Sequence, residues 1–109
     1  MCSPDMICLQ EVLPGFLGML RSCHELESVY TLSPFDINGY GCIMLVRRDW
    51  PVQFVEHDLQ SSMGRKLLIA DVLLGGGQPF TVATAHLESL HHSSCRMQQL
   101  RKSAEILCE

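Results

Sequence analysis

Two apolar runs, Leu67-Leu68-Ile69-Ala70-Asp71-Val72-Leu73-Leu74 and Phe80-Thr81-Val82-Ala83-Thr84-Ala85-His86, flank the segment Gly75-Gly76-Gly77-Gln78-Pro79. Three glycines and a proline cannot sit inside a hydrogen-bonded ladder without cost, so the segment is a turn and the runs are the arms of an antiparallel hairpin. A phosphate cradle is the other use of a glycine-rich loop. Neither a Walker lysine nor G-x-G-x-x-G spacing is present, and a hairpin turn accounts for the glycines. The second arm closes on Thr84-Ala85-His86-Leu87-Glu88-Ser89, which sets a histidine and a carboxylate side by side at a strand end. Strand alternation, extended through this stretch, places Val82, Thr84, His86 and Glu88 on one face and Ala83, Ala85 and Leu87 on the other.

Such a hairpin needs a core to cover it. With 109 residues, 47% of them hydrophobic, the chain can build one core and not two. A formal net charge of −4 opposes an all-over electrostatic grip on nucleic acid, so any phosphate recognition is local. Of the six cysteines none forms a C-x-x-C pair, and four lie in apolar or helix-like runs. Buried free thiols in a reducing compartment are therefore expected rather than a disulfide framework. No segment reaches the roughly 20 apolar residues of a membrane span, and a soluble intracellular protein is expected.

Along the chain, Met6-Ile7-Cys8-Leu9 follows Ser3-Pro4-Asp5 as an apolar run of the kind covered on both faces. Glu11 is thus expected at the end of a central strand, where a carboxylate can hold a hard cation, or alternatively at the start of the next helix. Leu13, Phe16, Leu17 and Leu20 recur at helical spacing as far as about His24, with Pro14 in the tolerated first turn. Ser28 to Leu32 reads as a short strand, and 33–39 as a loop rich in turn formers. Tyr40 stands before the strand 42–46, projecting towards a ligand or packed on the strand end. Arg47-Arg48-Asp49 reads as a solvated strand end before a further strand, 52–56. The polar link 61–66 leads into the hairpin. After His91-His92-Ser93-Ser94 comes a helix with Met97, Leu100, Ala104 and Leu107 along an expected packing stripe. His91, His92 and Cys95 lack a fourth ligand at a familiar spacing, so no zinc site is expected there. The order of elements is α/β with mixed sheets.

Asp5-Met6-Ile7-Cys8-Leu9-Gln10-Glu11-Val12 resembles the D-x-I-x-L-Q-E-V signature of the endonuclease/exonuclease/phosphatase superfamily. Thr84 to Ser89, followed by Arg96-Met97-x-Gln99-Leu100, resembles its 5′-tyrosyl-DNA phosphodiesterase family, as do Gly39-Tyr40 before Ile43-Met44-Leu45 and Gly64-Arg65 before Leu67-Leu68. The resemblance runs from about Pro4 to Leu107. It implies part of a DNase I-like four-layer α/β sandwich and hydrolysis of a phosphodiester that depends on Mg²⁺, with Mn²⁺ as a substitute. It further implies Glu11 as the metal-binding carboxylate, His86 as the catalytic histidine at the scissile phosphate, and Tyr40, Arg65 and Ser89 on the substrate side. The partner implied is a DNA 5′ end bearing a tyrosyl-peptide adduct, with no membrane involved, and the location nucleus and cytoplasm.

The N-[IV]-x-G, G-D-x-N and S-D-H segments of that superfamily do not occur in these residues. Residues 1–109 are accordingly expected to form a single partial domain, lacking the first strand and the C-terminal part of the family fold, and inactive alone. Two further readings stand beside it. One is a non-catalytic remnant acting as a binding or regulatory module; the other is a different superfamily member, such as a phosphoinositide phosphatase.

Overall fold

The computed structural model describes residues 3–74 and 77–108. Six strands and three helices follow in the order β1 (Met6–Val12), α1 (Pro14–Arg21), α2 (His24–Val29), β2 (Tyr30–Leu32), β3 (Gly41–Arg47), β4 (Val52–Asp58), β5 (Lys66–Leu73), β6 (Pro79–Thr84) and α3 (Ser93–Leu107). The strands form two sheets, ordered β1-β3-β2 and β4-β5-β6. Every pairing among the described residues is antiparallel, so the mixed pairing expected of the sheets is not seen in this part of the sandwich. The hairpin is present as β5 paired with β6, from Leu68 opposite Thr84 to Leu73 opposite Pro79. Gly75 and Gly76 of its expected turn lie outside the described residues, as does Cys2.

Period-two burial on the two central strands builds the layers. On β3, Ile43 and Leu45 face α1 and α2 and pack with Val12, Leu17, Leu20 and Tyr30. Met44 and Val46 face the other way, against Leu68, Ala70 and Val72 of β5. The opposite face of β5 offers Leu67 and Ile69 to Leu59 and, from α3, to Ile106. The layers therefore run helix, sheet, sheet, helix, as the resemblance implied. Ile43, Met44, Leu45 and Val46 are at most 1% exposed. Full burial of such a side chain contributes about 1.5–3 kcal/mol, which makes β3 the anchor of the fold.

Several expectations need correction. β1 pairs only with β3, so it is an edge strand of the described sheet, and Cys8, Gln10 and Glu11 are exposed rather than covered on both faces. The first helical segment breaks at Ser22, whose hydroxyl bonds back to the Gly18 carbonyl at 2.8 Å, and α2 occupies the start of the expected second strand. The described cysteines are free, and none is fully buried. Arg47 is fixed rather than loosely solvated: it pairs with Asp5 and Asp49 at 3.1 Å and lies over the Trp50 ring.

The largest departure is in α3. Met97, Leu100 and Leu107 are exposed, while Gln99 is fully buried and Cys95, Arg96, Ser103 and Ile106 are half-buried. The helix turns its polar face inward because Gln99 meets polar partners there. Its amide donates to the Gln60 carbonyl at 3.1 Å and accepts the Glu88 N–H at 2.7 Å. Leaving those buried groups unpaired would cost about 1–3 kcal/mol each, comparable with what burying the leucines would contribute.

Candidate active site

The ends of β1 and β6 meet at one edge of the sandwich. Gln10 carries its side chain across from the first sheet to the second, where Nε2 donates to the Ala85 carbonyl at 2.8 Å and to the Thr84 hydroxyl at 3.3 Å. The next residue, Glu11, sits in a register irregularity between Leu9 and Val12 and has φ 56°. A bulge re-aims a side chain, and a non-glycine residue in the left-handed region persists only where its surroundings hold it. The result is that Glu11 Oε1 lies 3.7 Å from Nε2 of His86.

The histidine is placed by the end of the hairpin arm. β6 stops at Thr84, and beyond it the alternation fails: His86 turns to the cleft, whereas Glu88 is buried elsewhere. The expected shared face for His86 and Glu88 is therefore wrong, because it extends a strand period past the last ladder bond. His86 Nδ1 is buried without a partner. The His86 backbone N–H faces the Cys42 sulfur, but burial outweighs that contact and pushes the Cys42 thiol pKa up.

Between these walls lies a cleft, lined among others by Glu11, Asp36, Tyr40, Glu56, Arg65 and His86. Tyr40 is 61% exposed at its rim, so it is not packed on the strand end. Gly41, next to it, packs against Ile37, where a Cβ would come within 2.7 Å of Ile37 Cγ1. Two of the carboxylates are already compensated, Asp36 by Arg21 at 2.9 Å and Glu56 by Lys66 at 3.3 Å. Glu11 has only the histidine near it among the described residues, and the Arg65 guanidinium has no carboxylate partner there and a buried, unpartnered Nε. One carboxylate and one guanidinium are thus left to act on whatever enters.

Four of the five expected site residues, Glu11, Tyr40, Arg65 and His86, line this cleft; Ser89 does not, and its hydroxyl contacts the Met63 sulfur at 3.3 Å. Asp36, Asn38, Cys42, Glu56 and Lys66 also line it without having been expected there. Asp36 and Asn38 were read in sequence only as part of the loop 33–39. No group of three or more histidine, cysteine or acidic side chains is arranged to hold a metal among the described residues.

Glu88 does other work. Its carboxylate is 1% exposed. It accepts from the Ser61 hydroxyl, the Ser62 hydroxyl at 2.7 Å, the Ser62 N–H at 3.1 Å and the Gln99 amide at 3.4 Å. Those bonds, the serine hydroxyls first, hold its pKa down to about 2.

No family model matches the chain. It is 35% identical over 104 residues to tyrosyl-DNA phosphodiesterase 2 of Gallus gallus and 34% identical to that of Mus musculus, in each case across 91% of this chain and 27% of the relative. The crystal structure of truncated Caenorhabditis elegans TDP2 superposes with a TM-score of 0.75 at 26% identity, covering 96% of this chain and 44% of that one. The chain thus spans about a quarter of the length of the curated relatives it matches. In sequence and in fold the chain is thus similar to one segment of the tyrosyl-DNA phosphodiesterase 2 proteins.

Proposed function

We propose that these residues form one wall of the active site of a metal-dependent phosphodiesterase that releases a tyrosyl peptide from a DNA 5′ end. The observation that carries this reading is the tie from Gln10 to Ala85, which brings Glu11 of one sheet to 3.7 Å from His86 of the other in a cleft shared with Arg65 and Tyr40.

The donor chemistry suits Mg²⁺. Mg²⁺ takes oxygen ligands, keeps several waters, and is commonly held by one or two carboxylates together with substrate phosphate. Glu11, its side chain 66% exposed and with no ion-pair partner but the histidine among the described residues, fits that use. A metal ion held there would supply charge stabilisation at a phosphoryl oxygen. His86 presents Nε2 beside the carboxylate, where it can donate to a phosphate oxygen as negative charge develops. Arg65 contributes a fixed positive group on the second sheet, and Tyr40 an exposed ring on which a base or a tyrosyl ring can stack. The net charge of −4 agrees with a grip confined to the cleft. Residues 1–109 are read as a single partial domain that carries this one wall of the site.

The test is fluorescence anisotropy of the 109-residue chain with an oligonucleotide bearing a 5′-phosphotyrosyl group. Binding is expected to need Mg²⁺, to fall in Glu11→Gln and His86→Ala, and to release no tyrosine. Binding indifferent to Mg²⁺ and to both substitutions would overturn the site. Turnover that disappears in His86→Ala would overturn the one-wall reading.

A further inference from the structure

We propose that Glu88, although outside the cleft, is a positioning residue for Arg65, acting through the hydroxyl of Ser61. The proposal rests on the reading of the cleft as a phosphate-ester site and extends it to the group that aims its cation. A serine hydroxyl has one proton and two lone pairs. At Ser61 all three are used: the proton goes to the Glu88 carboxylate, and the oxygen accepts the N–H groups of Met63 and Arg65, each at 3.0 Å. An ionised carboxylate can only accept, so it fixes the direction of that proton and leaves both lone pairs for the backbone of the turn. The second carboxylate oxygen holds Ser62 by its N–H and its hydroxyl. The turn is closed at its far end by the Leu59 N–H on the Arg65 carbonyl, at 3.1 Å.

Burying a carboxylate is expensive unless it is fully hydrogen-bonded, and no cationic side chain pairs with this one among the described residues. The turn it organises delivers Arg65 into the cleft with a buried, unpartnered Nε. Gln99 of α3 steadies the carboxylate from behind through the Glu88 N–H and Oε1. Among the described residues the one side-chain hydrogen bond of the Arg65 guanidinium is to the Met63 sulfur, at 3.5 Å, so its aim depends on the backbone that carries it.

The test uses the 109-residue chain and two readouts. The first is the Arg65 Nε–H resonance, assigned by its loss in Arg65→Lys; the second is the dissociation constant of free phosphotyrosine. In Ser61→Ala and Glu88→Ala the resonance is expected to move to the position of a free arginine, and phosphotyrosine binding to weaken about tenfold, while the amide resonances of β4 to β6 stay in place. Glu88→Gln, which sets an amide donor against a donor, is expected to fall between. If Glu88→Ala does not fold, Ser61→Ala carries the test alone. An unmoved Arg65 resonance and unchanged affinity in folded Ser61→Ala would overturn the proposal. Should the resonance move while the wild-type chain binds no phosphotyrosine, the positioning role stands and the phosphate-ester reading of the cleft fails.

Discussion

Replacing Glu11 with glycine is expected to stabilise the chain relative to replacing it with alanine, the reverse of the usual order in a strand. In a regular strand interior, glycine is worse than alanine by about 0.5–1 kcal/mol because it gives up more backbone freedom. Glu11 has φ 56°, a conformation that costs a residue with a Cβ about 1–2 kcal/mol and costs glycine almost nothing. The difference of these two effects leaves glycine ahead by roughly 1 kcal/mol. Both variants lose the same side chain, which is 66% exposed and whose one ionic neighbour is His86 at 3.7 Å, so that loss cancels in the comparison. Thermal unfolding followed by circular dichroism should separate the two by about 4–8 °C, the shift about 1 kcal/mol produces in a domain near this size. Both variants should lose Mg²⁺-dependent binding equally. Alanine as stable as glycine or more so would mean that the backbone at Glu11 is not held in the left-handed region, and the bulge could not then be what aims the carboxylate.

Three other outcomes follow from the packing. The folded pKa of Glu88, about 2, lies below its ordinary value of 4.5, so its contribution to stability is complete above about pH 4.5 and is lost as the pH falls towards 2. Urea midpoints measured from pH 5 to pH 3 should fall less steeply in Glu88→Gln, and parallel slopes would refute the assignment. Gly41→Ala should cost about 1–3 kcal/mol by overpacking Ile37, with stability partly restored in Gly41→Ala/Ile37→Ala; an unaltered urea midpoint in the single variant would count against the close contact. Leu100→Ser should change stability by less than about 0.5 kcal/mol, because the side chain is 51% exposed; a loss above 2 kcal/mol would show that the apolar stripe of α3 is packed after all.

What could be read from the chain itself was whatever depends on local period and on motif order. β3, β5 and β6 were legible because their apolar runs are bounded by turn formers. Glu11, Tyr40, Arg65 and His86 were legible through the resemblance, since each sits in a short run that names it. The inward face of α3 was not, because hydrophobicity alone points to Met97, Leu100 and Leu107, and the partners that select Gln99 instead, the Gln60 carbonyl and the Glu88 N–H, lie 39 and 11 residues away in sequence. Glu88 looked like a companion of His86 because both follow one strand; the chain leaves that strand at Thr84, and a bend carries no period. The edge position of β1 was equally hidden, as an apolar run does not state how many neighbours its strand has.

Gln10 and Glu11 differ by one functional group, an amide in place of a carboxylate, and that difference divides fastening from chemistry. The amide can donate to the Ala85 carbonyl, and a carboxylate there would set oxygen against oxygen. The two neighbours are therefore not interchangeable, even though both are polar and exposed: exchanging them would break the tie between the sheets at this edge and withdraw the acid from the histidine in a single step. The approach of Glu11 to His86 thus depends on the neighbouring Gln10, whose amide bonds the backbone next to the histidine.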